Sequence, residues 1–556
     1  MTDHPSFSLL TEPWISCSTR SGQTALVSLR DVFAGGDDLS EVRGDSPTQD
    51  YAVLRLLLAI FWRAHASDAD VSAGETFSFT TWFSQQFDSA QALEPDAVTL
   101  EYLEAHADRF DLRHPTTPFM QVADLHTQSG NTSEVARIVP EAEDTYFSMR
   151  AESGAQTLSA PEAARWLIHT HAYDYSGIKS GAVGDPRVKN NKGYPIGTGW
   201  SGMTGGTVVL GRTLRETLAL NTTPATFEAG KHDSAPWERE PDTAAPRNDS
   251  TPAGPVDLAT WQSRRIRLHW TEDRVTQVLV SNGDRIPDAG ANILADPMTP
   301  YRYSANKSTK SQDVFYARPY NAERMLWRSL EPLIAMGESE IDLKKGEKAP
   351  RRPLVLDSLA QVGPLALGRS RRNFELRLIS ASYGPQQSSA ATTVDARIGF
   401  PRDLVRRDRG ASRIAVFTTA TCTSQAAKAL GVFGAELLQA AGGDYEYQTT
   451  AANGMLGDLE GPFTQWLRDL DVDSLERCTE TWARVVDAHA RAQATRMLRG
   501  AGPRALIGRT ITQGEQSRLL SAGGAYMAFD RRLRKALQPL RPESDRRTAT
   551  QTDTAQ

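Results

Sequence analysis

Beyond about Arg402 the chain changes character. Long amphipathic stretches take over, at about residues 404–441, 456–471, 473–500 and 513–538. Gly442-Gly443, Gly500-Ala501-Gly502-Pro503 and Pro539 separate and close them. Apolar residues that return with the helical period on one face need a surface to bury against, and four such segments with short connections serve each other. The expectation is a C-terminal four-helix bundle over 401–540, followed by a polar, disordered tail over 541–556.

Upstream the pattern is mixed. Phe7–Ile15 and Ala25–Leu29 read as strand-like pieces around a turn at Ser21-Gly22. Asp45-Ser46-Pro47-Thr48 reads as the cap of a helix over Gln49–His65. Its wide apolar face (Tyr51, Leu54, Leu57, Leu58, Phe61, Trp62) marks it as core. Residues 76–110 read as helical, and Pro115 and Pro118 impose loop geometry on the stretch that follows. Residues 126–160 read as a long loop, Pro161–Tyr173 as a helix with proline in its first turn, and Thr207–Gly211 as a strand. Residues 224–258, dense in Pro, Asp, Glu, Ser and Thr, read as a solvated, partly disordered loop. Trp261–Val280 reads as strands and Arg324–Met336 as a helix. A chain of 556 residues has room for roughly two to four domains. The fold class expected is α+β, a large mixed N-terminal domain over 1–400 followed by the bundle.

Few residue patterns point to catalysis. The three cysteines, Cys17, Cys422 and Cys478, lie far apart and form no CxxC, which argues against a disulfide framework and a cysteine-based zinc site. His169-Thr170-His171 would point apart on a helix, with no third ligand nearby. No GxSxG, Walker A, HExxH or EF-hand pattern occurs, so no cofactor, no metal and no enzyme activity are expected. The N-terminus lacks the basic and apolar regions of a signal peptide. No apolar run reaches about 18 residues, so a cytoplasmic protein with no membrane partner is expected.

Residues 177–206 hold nine glycines, and Gly197-Thr198-Gly199-Trp200-Ser201-Gly202 matches GxGxxG. The dinucleotide fingerprint needs a strand before it and a helix after it, whereas Lys189–Pro195 reads as loop. A nucleotide-binding enzyme using this loop stays open as an alternative. A glycine loop packed closely on another backbone explains the same residues.

Basic runs are the better lead. They comprise Lys344, Lys345, Lys348, Arg351 and Arg352; Arg369, Arg371 and Arg372; Arg402, Arg406, Arg407, Arg409 and Arg413; and Arg531, Arg532, Arg534 and Lys535. Singly, each is an ordinary solvated face; together they suit a surface that tracks phosphates, although the whole chain carries a net charge of −6. Ser382–Ser389 reads as a turn carrying Gln386 and Gln387. It is either a plain hairpin loop or an amide pair able to enter a DNA minor groove and wedge between base pairs.

The order of these segments resembles the CasA family, the large subunit of the type I-E CRISPR surveillance complex, Cascade. The resemblance rests on Leu9–Ile15 at the start, Arg113–Gln121 with its Pro-Phe-Met-Gln end, and Pro161-Glu162-Ala163-Ala164 after a long loop. It continues through Gly205-Gly206, Gly211–Asn221, the glutamine turn and the helical C-terminus, so it covers essentially the whole chain.

The resemblance implies a subunit that reads the protospacer-adjacent motif (PAM) in duplex DNA from the minor groove. It then wedges the duplex open to start an R-loop and helps recruit a helicase-nuclease. Its partners would be the other Cascade subunits, the guide RNA and target double-stranded DNA. By position the glycine loop falls on Gly197–Gly202, with Gly199, Trp200, Ser201 and Gly202 as DNA contacts and Trp200 and Ser201 at its tip. The lysine falls on Lys307 and the wedge on Gln386 and Gln387. Arg402, Arg406, Arg407 and Arg531 are the expected backbone contacts. The loop over 144–160 would dock on the guide-RNA 5′ end and a neighbouring subunit. The wedge reads Pro-Gln-Gln-Ser where a relative has Asn-Asn-Gln-Ala, so which glutamine inserts stays open. The cysteine cluster of some relatives is missing, and no zinc is expected. Minor-groove readout separates mainly A·T from G·C, which suits a short permissive motif.

Overall fold

The computed structural model describes residues 5–36, 38–70, 76–140, 156–247, 251–321, 330–336, 338–341, 343, 346–366, 373–387, 390–513 and 516–542. The chain divides into two compact units. The first is Met1–Ala322 with Lys344–Arg371 and Glu375–Arg397; the second is Glu323–Leu343 with Arg372–Phe374 and Ile398–Gln556. Lys344, Lys345, Arg369, Arg371, Arg372, most of the expected 144–160 loop, the 324–329 part of the expected 324–336 helix and nearly all of the 541–556 tail lie outside the described residues.

The first unit is mixed α and β, assembled from several small sheets, and the fold class is α+β as expected. Strands β1 (Ile15–Thr19), β2 (Thr24–Val27) and β3 (Leu39–Val42) form an antiparallel sheet with β1 in the middle. Helix α1 (Pro47–Ala64) follows, started by Ser46, whose hydroxyl accepts from the Gln49 amide, and by Pro47. Nearly every side chain of α1 is buried. Arg55 is among them, and it reaches the equally buried Asp296 at 2.8 Å. Helix α2 (Phe79–Gln91) and helix α3 (Ala160–Tyr173) belong to the same unit. In α3, Glu162 accepts from the Ser159 amide at 3.0 Å, so the first turn after Pro161 is closed from its own side chains.

Strand β4 (Gly206–Leu210) leads into helix α4 (Leu214–Leu220), capped by Thr213. Strands β5 (Arg264–Thr271) and β6 (Arg274–Asn282) form a hairpin, and β7 (Tyr301–Tyr303) and β8 (Phe315–Ala317) form a smaller one. The long strands β9 (Asn373–Tyr383) and β10 (Ala390–Pro401) make a ribbon. Strand β9 pairs with β4 in register from Glu375↔Leu210 to Ile379↔Gly206.

The 224–258 segment departs from expectation. Its described residues form short helical turns and are packed: Trp237 is buried and stacks near Phe110 and Phe119. Several of its charges are satisfied within the fold. Asp233 accepts from the Val256 and Asp257 amides, and Arg247 pairs with Asp257 and Asp284. Polar composition signals solvent only when the polar groups lack partners within the fold.

The second unit is built on helix α5 (Gly410–Ala440), 31 residues long. It starts later than expected because 3-10 turns over Arg402–Val405 and Arg407–Arg409 precede it, with Arg406 extended between them. The second expected helix is two, α6 (Thr449–Asp458) and α7 (Glu460–Arg468). Helix α8 (Leu475–Gly500) matches the third. The fourth, α9 (Ala522–Leu537), begins only after a hairpin of β11 (Arg509–Gln513) and β12 (Gln516–Leu520). The β-branched run Thr510-Ile511-Thr512 favours that strand, and Ser521 caps the helix behind it. Phe463, Trp466 and Trp482 form the aromatic centre between α7 and α8, with the Trp482 indole donating to Thr423 on α5. Glu340 belongs to this unit too, where it holds the buried Arg413 at 2.7 Å.

Candidate nucleic-acid interface

The β9–β10 ribbon ends in the turn Pro385-Gln386-Gln387, and all three residues are exposed. Gln386 and Gln387 both have φ near +57°. A left-handed conformation costs a non-glycine residue about 1–2 kcal/mol, so the surroundings must hold it. They do so by three contacts. The Gln387 amide donates to the Gly384 carbonyl at 2.9 Å. The Gln387 carbonyl accepts from the Ser176 amide at 2.7 Å. At the root of the turn the Tyr383 hydroxyl donates to the Tyr173 carbonyl at 2.8 Å. Burial pushes the Tyr383 phenol well above its ordinary range, so it stays a donor. The two glutamine side chains thus stand on a braced tip.

The glycine segment lies against the same support. The Gly197 amide donates to the Ser176 hydroxyl at 3.2 Å, so Ser176 joins the glycine segment to the glutamine turn. A Cβ on Gly199 would fall 2.2 Å from the His171 carbonyl oxygen and 2.5 Å from that of Ala172. A Cβ on Gly202 would fall 2.3 Å from the Tyr383 hydroxyl. These glycines are required by the close approach of the segment to the end of α3 and to the ribbon. A nucleotide fingerprint is not needed to explain them. The segment before Gly197 is no β-strand leading into a long helix; only the short Trp200–Met203 turn follows.

The expectation that Trp200 and Ser201 form an exposed loop tip is corrected. Both are buried, as is Gly202. The Trp200 indole donates to Asp296, whose other oxygen takes Arg55, and the ring packs among Leu258, Trp261 and Ile286. An indole with a buried carboxylate acceptor and apolar walls gains nothing from solvent. Trp200, Ser201 and Gly202 therefore support the surface rather than form it. Lys307 is exposed, in the connection between β7 and β8. That hairpin is fixed to Asn292, which bonds both Phe315 and the Asp313 carbonyl. The neighbouring Gly290 lies against Trp200. The structure brings the glycine segment and glutamine turn into contact and ties the Lys307 hairpin to Asn292, two residues beyond the Gly290 that lies against Trp200.

Sequence reading missed Tyr173, Ser176 and Tyr383, which act through a backbone carbonyl, a backbone amide with its hydroxyl, and a phenol hydroxyl, and carry no motif. Their one signal was position, directly before the glycine run and directly before the glutamine turn. His169 and His171 are buried singly. His169 contacts the Thr48 hydroxyl and His171 the Met120 carbonyl, and burial pulls both down to about 4. No group of His, Cys, Asp and Glu suited to a metal occurs among the described residues.

In the second unit most of the basic runs are neutralised. Arg406 pairs with Asp408 at 2.7 Å, Arg409 with Asp473, Arg532 with Glu436 and Arg534 with Asp530. Arg402 is half-buried, while Arg407 and Arg531 are exposed. In the first unit Lys348 pairs with Asp313 and the buried Arg352 with Asp357.

The first unit is thus an α+β scaffold that braces a polar-tipped β-ribbon over a tightly packed glycine segment. The family model for CRISPR-associated protein Cse1 matches residues 8–497, and the chain belongs to that family. It is 36% identical to Thermobifida fusca Cse1, whose crystal structure superposes with a TM-score of 0.82, covering 98% of this chain and 100% of that one. The CRISPR-associated protein CasA/Cse1 of Thermus thermophilus is 26% identical over 343 residues. The match takes in 59% of this chain and 60% of that relative's own length. A chain described as a CRISPR RNA-guided surveillance complex shares the fold, with a TM-score of 0.61 at 19% identity over 89% of this chain and 99% of that one.

Proposed function

We propose that this chain is the large, non-enzymatic subunit of a CRISPR RNA-guided surveillance complex. In this reading it recognises the PAM in duplex DNA from the minor groove and opens the duplex. The observation that carries the reading is the Gln386-Gln387 tip, two exposed amides on a turn braced at Gly384, Ser176 and Tyr173. An amide both donates and accepts, so it can address the acceptors of A·T pairs and the extra donor of G·C pairs. A tip held by three hydrogen bonds can enter a base step without first losing its own freedom. Unstacking a step costs a few kcal/mol, which contacts to phosphates offset.

Lys307 is the second groove contact, with Gly199 and its neighbours setting the floor behind the wedge. Arg407 and Arg531 supply phosphate contacts, with Arg402 and Arg406 near the first of them. Once a first step is open, guide pairing replaces DNA pairing at nearly balanced free energy, so no covalent chemistry is needed. The partners are the other subunits, the guide RNA, target DNA and a recruited helicase-nuclease that does the cutting. This reading places the chain on cytoplasmic DNA. No described helix is long and apolar enough to cross a membrane.

The test is a gel-shift and permanganate-footprint titration of complexes carrying wild-type chain or Gln386→Ala/Gln387→Ala. Matched duplexes differ only in the flanking motif. Both residues are exposed, so folding and assembly should be unchanged while duplex opening is lost. Normal opening by the double variant would refute the wedge.

A further inference from the structure

Ser176 and Gly197 are joined by the bond that ties the glycine segment to the glutamine turn, and between them the chain runs out and back as a short arm. Lys179 pairs with Gly193 and Ser180 with Lys192, antiparallel. The Gly181 amide donates to the Asn191 carbonyl at 3.1 Å. At the far end Lys189 and Lys192 exchange both backbone bonds, at 3.1 and 3.0 Å, around Asn190 and Asn191. Both asparagines are left-handed, with φ of 54° and 59°. Two left-handed residues in succession make the turn whose twist suits an antiparallel pair, and asparagine tolerates that conformation better than most side chains do. Lys189, Asn190, Asn191, Lys192 and Tyr194 are all exposed.

The arm is fixed along its length to the end of β6 and to the chain before it. Arg187 donates to the Asn282 and Gly283 carbonyls at 3.2 and 2.8 Å, and the Asn282 side chain donates to the Tyr194 carbonyl at 2.7 Å. The Ser281 hydroxyl donates to the Ser180 carbonyl, and the Val183 amide to the His126 carbonyl at 3.0 Å. Its charge is one-sided. Between Tyr175 and Gly197 stand four cations, Lys179, Arg187, Lys189 and Lys192, against the single acid Asp185. Asp185 is taken up by Arg187 at 2.9 Å, and Lys179 is buried against Asp174 at 3.2 Å. Lys189 and Lys192 have no ion-pair partner among the described residues. None of the exposed side chains of the arm takes part in the brace of the glutamine turn.

Two ammonium groups, two side-chain amides and a phenol on a fixed, protruding turn have the chemistry of a phosphate contact: lysine supplies charge, and amide and hydroxyl donate to phosphate oxygens. Position names the phosphates. The Ser176 amide bonds the Gln387 carbonyl, and Ser180, paired with Lys192, lies four residues further on. At about 3.5 Å per residue and about 5 Å between paired strands, Lys192 lies within roughly 20 Å of the glutamine turn. One turn of duplex spans roughly 34 Å, so the arm and the glutamines reach the same turn of DNA. We propose that the Lys189–Lys192 hairpin clamps the phosphate backbone of the duplex within one helical turn of the base step that the glutamines enter. The clamp reads no sequence and keeps the duplex on the tip while the tip does. The inference rests on the nucleic-acid reading above and adds a contact separate from the glutamine tip and from Lys307.

The experiment uses the assembled, guide-bearing complex with full-length chain, as wild type, Lys189→Ala/Lys192→Ala or Lys189→Arg/Lys192→Arg. Filter binding across a salt series gives the affinity for two duplexes that differ only in the flanking motif. The alanine pair should lower the slope of log affinity against log salt by about two, at roughly 0.9 per lost phosphate contact, which is on the order of thirtyfold in affinity at about 0.15 M salt. The loss should be equal on both duplexes, because phosphates carry no sequence, whereas Gln386→Ala/Gln387→Ala should remove the difference between them. The arginine pair keeps both charges and should restore the slope; an arginine pair as weak as the alanine pair would overturn the charge argument. An unchanged slope in the alanine pair, with motif dependence still lost in the glutamine variant, would overturn the clamp alone. A loss confined to the duplex with the matching motif would overturn it too, since that is base reading. Failure of the alanine pair to enter the guide-bearing complex would put these lysines on the guide RNA or a neighbouring subunit and overturn the duplex assignment. Equal affinity and slope with and without this chain would overturn the nucleic-acid reading and the clamp with it.

Discussion

Replacing Gly202 by alanine sets a Cβ 2.3 Å from the Tyr383 hydroxyl, 3.2 Å from the ring carbon that bears it and 3.3 Å from the Ala172 carbonyl oxygen. An ordinary contact needs about 3.4 Å or more, so the hydroxyl must retreat by about 1 Å, which breaks its 2.8 Å bond to the Tyr173 carbonyl. Overpacking costs about 1–3 kcal/mol, and a carbonyl left without its donor about 1–3 kcal/mol. Gly202→Ala should therefore destabilise the first unit by about 3 kcal/mol. Tyr383→Phe removes the hydroxyl and should cost about 1–2 kcal/mol through the lost bond alone. In the double variant the colliding atom is already gone, and the remaining 3.2 Å contact needs to yield by only a few tenths of an ångström. Gly202→Ala should then cost about 1–2 kcal/mol less in the Tyr383→Phe background than in the wild-type chain. The assay is chemical denaturation of the four proteins, read by tryptophan fluorescence, with hydrogen exchange at the Ser176 amide as a local probe of the turn. Duplex opening should fall most in Gly202→Ala and recover in part in the double variant. Additive costs, within about 0.5 kcal/mol, would refute the packing argument and with it the claim that the glycine segment fixes the wedge.

Two more outcomes follow from the charges. Burial pulls His65 down, but hydrogen bonds to Asp68 and Asp96 on its two ring nitrogens outweigh it and raise the group from 6.5 to about 9. A folded-state value above the unfolded one stabilises fully below about pH 6.5 and is lost as pH rises through 9. The loss is on the order of 3 kcal/mol. His65→Gln should flatten the melting temperature between pH 6.5 and 9, and an unchanged slope would contradict the pairing. Arg407→Ala/Arg531→Ala should lower the slope of log affinity against log salt by about two, at roughly 0.9 per lost phosphate contact. Arg406→Ala should change it less, because Asp408 and Asp403 already occupy that guanidinium; the three slopes from filter binding decide it.

Legibility in the sequence followed the kind of force involved. Helix α1 was readable because its cap, its proline and its apolar face are all local, and the same holds for Pro161 in the first turn of α3. The hairpin before α9 was not, because the surrounding amphipathic period reads through it and only a short β-branched run argues against a continuous helix. The 224–258 segment misled for a related reason: its acids and arginines look solvated one at a time, and only the fold brings Arg247 to Asp257 and Asp284.

At the candidate interface the division is sharper. The glutamine pair was readable as an exposed polar turn, yet what makes it a tool is the brace beneath it. Apart from the Tyr383 hydroxyl, that brace consists of backbone carbonyls and amides at Tyr173, Ser176, Gly384 and Gln387, groups every residue possesses. The glycines record the brace in negative. Gly199 and Gly202 are small because two other chain segments pass where their side chains would be. Trp200 between them reads from sequence as a residue offered to a ligand, but its neighbours on both sides must stay against the backbone of α3 and the ribbon. It can then only turn inward, where Asp296 and Arg55 receive it. A glycine run of this kind thus points to the surface it packs against, and the functional atoms are the ones the packing holds still.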